Sequence, residues 1–185
     1  MLQGRLISIN IGQSRTVQWS GQFFKTAIFK EPVPGRVKIR KLGLEGDVQA
    51  DLTVHGGPEK AVYAYPSDHY AYWRRELNVS SLPWGMFGEN LTTEGLLENQ
   101  VHLGDEIGIG TATLKVTQPR FPCFKLGIKF GTMEMVKRFQ ASGRSGFYFS
   151  VIREGDIGVG DDIKLIKGIS SPSVSEIFTS ESGEQ

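Results

Sequence analysis

Along most of the chain, apolar and polar residues alternate over short stretches, and helical spacing appears in only two places. Residues 4–12, GRLISINIG, alternate and stop at Gly12, as an opening strand would. Residues 15–33 predict two short strands around Ser20-Gly21. In 35–47 the pattern puts Val37 and Ile39 on one face and Arg36, Lys38 and Arg40 on the other, a half-exposed strand. Residues 60–66, KAVYAYP, read as a nearly apolar strand that ends at Pro66. Residues 67–78 then predict a helix, with Ser67 as cap and Tyr70, Trp73 and Leu77 along one side. Strands return in 88–95 and 100–120, separated by Gly-Asp turns. A second helix is predicted over 130–143, capped by Thr132, striped by Met133, Val136 and Phe139, and stopped by Gly143. Residues 146–166 predict two more strands around a Gly-Asp turn.

Many short strands with glycine turns and few helices predict a mostly β protein, a closed or nearly closed β-barrel with a few short helices added. The barrel domain is expected to span 1–168. Residues 169–185 are rich in Ser and Glu and poor in apolar side chains, which predicts a weakly ordered tail whose removal leaves stability nearly unchanged. The length, 185 residues, allows one domain with a sizeable core. Hydrophobic content of 39% and charged content of 22% are those of a globular chain in water. A net charge of +1 gives no overall field to steer nucleic acid or an anionic membrane, so any anion site must be local. The N-terminus lacks a signal-peptide layout and no apolar run approaches a membrane span, which places the expected location in the cytoplasm.

Four stretches carry candidate chemistry. In VHGGPEKAV, His55 precedes the Gly56-Gly57 pair and Lys60 enters an apolar strand. Glycines let backbone N–H groups approach an anion and lysine adds charge, although a tight turn with a surface lysine has the same composition. In FGENLTTEGL, Asn90 offers a donor and an acceptor to a planar heterocycle, or simply sits on an edge strand. In SGRSGFYFSV, Arg144 could grip a phosphate bidentately, or close a helix end with its side chain in solvent. The fourth stretch, QPRFPCFKLG, holds the only cysteine, Cys123, between Pro119 and Pro122 on one side and a second cation, Lys125, on the other. The prolines fix the loop, and Arg120 and Lys125 favour a thiolate, the form that attacks or ligates metal. A buried structural cysteine is the competing reading. One cysteine and the scattered His55, His69 and His102 offer no zinc spacing, and of the three only His55 lies in a glycine loop.

In this order, VHGGPEKAVYAYP, FGENLTTEGL, VHLGDEIGIGTATLKVTQPRFPCFKL and SGRSGFYFSVIREGDIGVGDDIKL resemble the MOSC family, named for the C-terminal domain of molybdenum cofactor sulfurase, and within it the stand-alone bacterial YiiM-like branch. The resemblance covers the chain to about residue 167. It implies a barrel-like fold and a molybdenum cofactor, a pyranopterin dithiolene with a terminal phosphate, with no role for pyridoxal phosphate. It implies Cys123 as the protein's molybdenum ligand; a soft thiolate suits such a metal. His55, Gly56, Gly57, Lys60, Asn90, Arg120 and Arg144 would then contact the cofactor, and His55 would also relay a proton. The implied activity is reduction of N-hydroxylated compounds, including bases such as 6-N-hydroxylaminopurine. The alternative is a carrier or sulfur-handling protein for the same cofactor. No cysteine set exists for an iron–sulfur cluster, so electrons are expected from a separate donor reductase. Longer members of the branch continue into a small helical domain where this sequence has its Ser/Glu-rich tail.

Overall fold

Residues 3–48 and 56–183 are described by a computed structural model of the chain. The strands are β1 (Gln3–Ile11), β2 (Arg15–Trp19), β3 (Gln22–Thr26), β4 (Glu31–Pro32), β5 (Arg36–Arg40), β6 (Gly43–Leu44), β7 (Val62–Pro66), β8 (Leu91–Glu94), β9 (Glu106–Ile109), β10 (Ala112–Pro119), β11 (Phe147–Arg153), β12 (Gly155–Gly158) and β13 (Asp162–Lys167). The helices are α1 (Tyr70–Leu77), α2 (Phe124–Phe130), α3 (Glu134–Ser142) and α4 (Val174–Ser182).

Seven strands in the order β13-β9-β10-β11-β7-β8-β1 form a closed barrel, because β1 pairs back onto β13 through Gln3↔Lys164, Gly4↔Ile163 and Arg5↔Asp162. Closure leaves these strands no free edge. All neighbours are antiparallel except β7 and β8, which run parallel and are joined through α1. β4 pairs with the far end of β1, β5 pairs with β12 on one side and β6 on the other, and β2 pairs with β3 as a separate hairpin. Among the described residues no helix is long and apolar enough to cross a membrane.

Strand alternation produces two cores. Val62 and Ala64 of β7, Leu114 and Val116 of β10, and Phe147 and Phe149 of β11 fill the barrel interior. Tyr63 and Tyr65, the opposite face of β7, join Tyr70, Trp73, Phe87, Leu126, Met135 and Phe139 in an aromatic layer under α1, α2 and α3. All of β7 is buried because both its faces are covered, which is why its sequence reads as nearly apolar.

Several segments differ from their sequence reading. Ser67–His69 forms a 3₁₀ turn with no side-chain cap, and the α-helix starts at Tyr70 and closes on Asn78 in the left-handed conformation. Thr132 Oγ1 does accept from Glu134 N (3.3 Å), but Met135 and Phe139 form the buried stripe and Met133 is exposed. Residues 146–166 make three strands, not two. Gly155 lies against Thr111 and Ala112, where a Cβ would meet Ala112 N at 2.5 Å, and this close passage sends β12 onto β5.

The expected weakly ordered tail is the largest correction. Ser173 caps α4 in a reciprocal capping box with Glu176, and Val174 and Phe178 are buried. Two apolar side chains on one helical face suffice where a matching surface awaits them, and average composition hides that.

Candidate active site

A cleft opens on the outer wall of the barrel, where the outward faces of β7 and β11 meet the loop that follows β10. Cys123 lies at the start of α2 in extended conformation (φ −127°, ψ 172°) and is half-buried. The prolines keep residues 120–123 out of regular structure, and the helix starts at Phe124 once they are passed. Around Cys123 the cleft is lined by Lys60, Asn90, Arg120 and Lys125, by the rings of Tyr63, Phe121 and Tyr148, and by the strap Thr26–Ile28 with Lys30 and Asp47.

Arg120 is only 5% exposed. Its guanidinium stands 5.2 Å from the Tyr63 ring centre and 5.1 Å from that of Phe139. Its backbone N–H donates to Gly146 O (3.3 Å). Nη1 is buried and has no hydrogen-bond partner among the described residues. Burial opposes its charge, but the phenols of Tyr63 and Tyr148 and the Cys123 thiol around it favour it, and together they hold its pKa above the ordinary arginine value. A buried guanidinium with an unmet donor fits an anionic group arriving from the cleft. Lys60 adds charge at the rim, with Nζ 5.9 Å from the Tyr148 ring centre.

The opposite wall is a polar network. Lys30 Nζ contacts both oxygens of Asp47 (2.5 and 2.6 Å), and Asp47 also accepts from Gly12 N (2.7 Å) and Asn90 Nδ2 (2.9 Å). Burial lowers the Lys30 pKa, and Asp47 partly restores it. Asn90 Oδ1 accepts from Tyr63 N (3.1 Å), so this amide ties the wall together. Behind the strap, Lys129 Nζ donates to Ile28 O (3.1 Å) and Gly85 O (2.6 Å), and burial pushes its pKa down to about 8. Glu89 is fully buried and accepts from Tyr70 OH, Gly85 N, Phe87 N and Thr92 Oγ1; its role is to fold the 85–92 segment.

The fold therefore brings together Cys123, Arg120, Lys60 and Asn90 from three separate stretches. Gly57 (φ 92°) turns the chain into the 3₁₀ turn Pro58–Lys60 and so delivers Lys60; Gly56 and Gly57 are not themselves among the lining residues. Arg144 is not among them either. Its guanidinium lies 3.7 Å from the Tyr72 ring centre, and Nη1 donates to Ser142 O (3.0 Å), so it packs at the end of α3. His55 lies outside the described residues. Sequence reasoning missed Lys30, Asp47, Tyr63, Phe121 and Tyr148. Each is an ordinary strand or loop residue in its own segment, and only barrel closure turns them to one cleft.

A closed β-barrel with a cation-lined cleft around a half-buried cysteine is the class that fold and site define. The profile of the MOSC domain matches residues 51–164, and the chain belongs to this family. It is 43% identical over 169 residues to YflK, an uncharacterized protein of Bacillus subtilis (strain 168), covering 89% of this chain and 76% of YflK. The crystal structure of YiiM from Geobacillus stearothermophilus matches it with a TM-score of 0.81 at 35% identity, over 98% of this chain and 85% of that one. A Gibberella moniliformis (strain M3125 / FGSC 7600) protein named reductase is 35% identical over 167 residues, 89% of this chain but 29% of that protein. The chain is thus a YiiM-like MOSC protein, and membership links it to the molybdenum cofactor.

Proposed function

We propose that the chain is a molybdenum-cofactor-dependent reductase of N-hydroxylated compounds, with Cys123 as the protein's ligand to the metal. The observation that carries the proposal is the pairing of the half-buried Cys123 with Arg120, whose buried Nη1 has no hydrogen-bond partner among the described residues. Kinship to a protein named reductase supports the redox reading. When bound, the cofactor supplies two-electron, oxygen-accepting chemistry. Cys123 presents the soft donor. Arg120 binds a cofactor anion directly, and Lys60 and Lys125 hold charge at the rim. Asn90 keeps Tyr63 and Asp47 in place, since its amide is already engaged by both. Tyr148, half-buried on the cleft lining, offers an aromatic surface to a planar base. His55, from the segment that leads into Lys60, is proposed to deliver a proton to the departing oxygen.

In the reaction the N–O bond breaks. Two electrons and two protons convert R–NH–OH to R–NH₂ and water. The electrons come from a donor outside these 185 residues, since one cysteine cannot hold an iron–sulfur cluster. Protein purified from a cofactor-competent host is to be incubated with 6-N-hydroxylaminopurine and a chemical reductant. Adenine formation in proportion to bound molybdenum is expected. Full molybdenum loading with no product above the reductant alone would replace this reading with that of a cofactor carrier.

A further inference from the structure

Phe121 lies between the cleft, which one side of the residue lines, and α4, on which its ring stacks. Its ring is parallel to that of Phe178 at 5.0 Å between centres and 15° between planes. Phe178 is 2% exposed, so this contact has no solvent to relax into. Phe121 is two residues from Cys123, with only Pro122 between them. One turn earlier on the same face of α4, Val174 is buried in the barrel core, Val174 N donates to Val101 O (2.9 Å), and Ser175 N donates to Glu98 O (3.0 Å). At its far end Ser182 Oγ accepts from Gln140 Nε2 of α3 (2.6 Å). The helix is therefore fixed to the barrel, to the 98–101 segment and to α3 independently of the cysteine loop, and can serve as a rigid backing for it.

The loop needs one. From Arg120 to Cys123 it has no regular structure, and its backbone is held at either end by Arg120 N–H donating to Gly146 O and Leu126 N–H donating to Cys123 O. Its side chains do the rest: Arg120 between Tyr63 and Phe139, Phe121 on Phe178, and Phe124 edge-on to Phe24 (5.1 Å). Of these, only the Phe121–Phe178 contact reaches into the segment that follows the barrel.

We infer that α4 is a positioning element of the cleft: Phe178, through Phe121, holds the cysteine loop in the conformation that sets the exposure and direction of Cys123. The inference does not depend on the molybdenum reading, because the single thiol reports on its own surroundings in the cofactor-free protein. The experiment is the rate of Cys123 labelling by a chromogenic disulfide reagent. Wild type, Phe178→Ala, Phe178→Leu and Ile163→Ala are compared at a temperature where tryptophan fluorescence shows all of them folded. Ile163 is buried in the barrel on β13, and its truncation serves as a stability control away from the loop.

The expected result is a change in labelling rate of about tenfold or more in Phe178→Ala, a smaller change in Phe178→Leu, which retains apolar bulk and a fold close to native, and a wild-type rate in Ile163→Ala. A wild-type rate in both Phe178 variants overturns the inference. So does an equal change in Ile163→Ala, since the thiol would then be reporting general opening of the barrel. If Phe178→Ala does not fold, Phe178→Leu against Ile163→Ala decides between the same two outcomes.

Discussion

Arg120 is the side chain on which the candidate site turns. A guanidinium buried between two rings, with a donor that no described residue meets, is costly to the fold unless a partner arrives. Arg120→Met is therefore expected to fold with unchanged or higher stability in the cofactor-free state, and to lose cofactor loading by at least about tenfold, read as molybdenum per chain. Cys123→Ser is expected to fold normally. Loss of residues that merely orient metal ligands costs roughly 10–100-fold, so loss of the ligand itself should cost at least on the order of a hundredfold in turnover. Lys129 offers a test by pH. Its folded pKa of about 8 lies below the 10.5 of the free side chain, so between these values the unfolded chain holds more protons and stability rises with pH. The slope from one such group is at most about 1.4 kcal/mol per pH unit. Lys30, also lowered by burial, contributes with the same sign. Above about pH 10 the buried phenols of Tyr63 and Tyr65, raised by burial, reverse the trend. Denaturant titrations from pH 8 to 10 should show the rise in wild type and a flatter profile in Lys129→Met. Cys123, Arg120 and Lys60 were legible in the sequence because prolines and glycines mark their loops locally. Tyr63 and Tyr148 were not, because alternation says that they face away from the barrel interior but not that a cleft lies there.

Among the elements, the β-strands were legible and the helices only in part. Period-two alternation survives in β5, where Val37 and Ile39 pack against the core and Arg36, Lys38 and Arg40 face solvent, whereas β7 reads as nearly apolar because both its faces are covered. α2 was hidden behind Pro122 and by Gly127, a poor helix former in the middle of its seven residues. α4 was hidden by the polar composition of its surroundings. Its two buried side chains, Val174 and Phe178, contribute roughly 1.5–3 kcal/mol each. At about 2–4 °C per kcal/mol for a chain of this size, removal of residues 169–185 should lower the melting temperature by on the order of 10 °C. A melting curve unchanged by the truncation would mean that α4 is not docked as described. The turn at Gly146 (φ 61°) is the other element-scale dependence. A Cβ there would collide with Ala64 O and meet the Tyr63 and Tyr65 rings at 2.8 and 2.9 Å, so only glycine lets this loop press against β7 and receive Arg120 N–H.

At the scale of the whole molecule, a barrel closed through β1 and β13 gives a rigid wall, and the cleft is assembled on its outside from loops far apart in sequence. Closure and the two-core arrangement follow from the number and alternation of strands; the position of the cleft depends on which helices cover the outer face, and local pattern does not encode that. A ligand held by such a wall stabilises the native state alone, by about 3 kcal/mol at a hundredfold excess over its dissociation constant. Molybdenum-loaded protein is accordingly expected to melt roughly 6–12 °C above the cofactor-free form. The most direct measurement is X-ray absorption at the molybdenum edge on loaded wild type and Cys123→Ser, which counts sulfur atoms bound to the metal. One sulfur fewer in the serine variant is the expected result, with Cys123 as the missing donor. An identical sulfur count in the two proteins would contradict the assignment of Cys123 as the metal ligand.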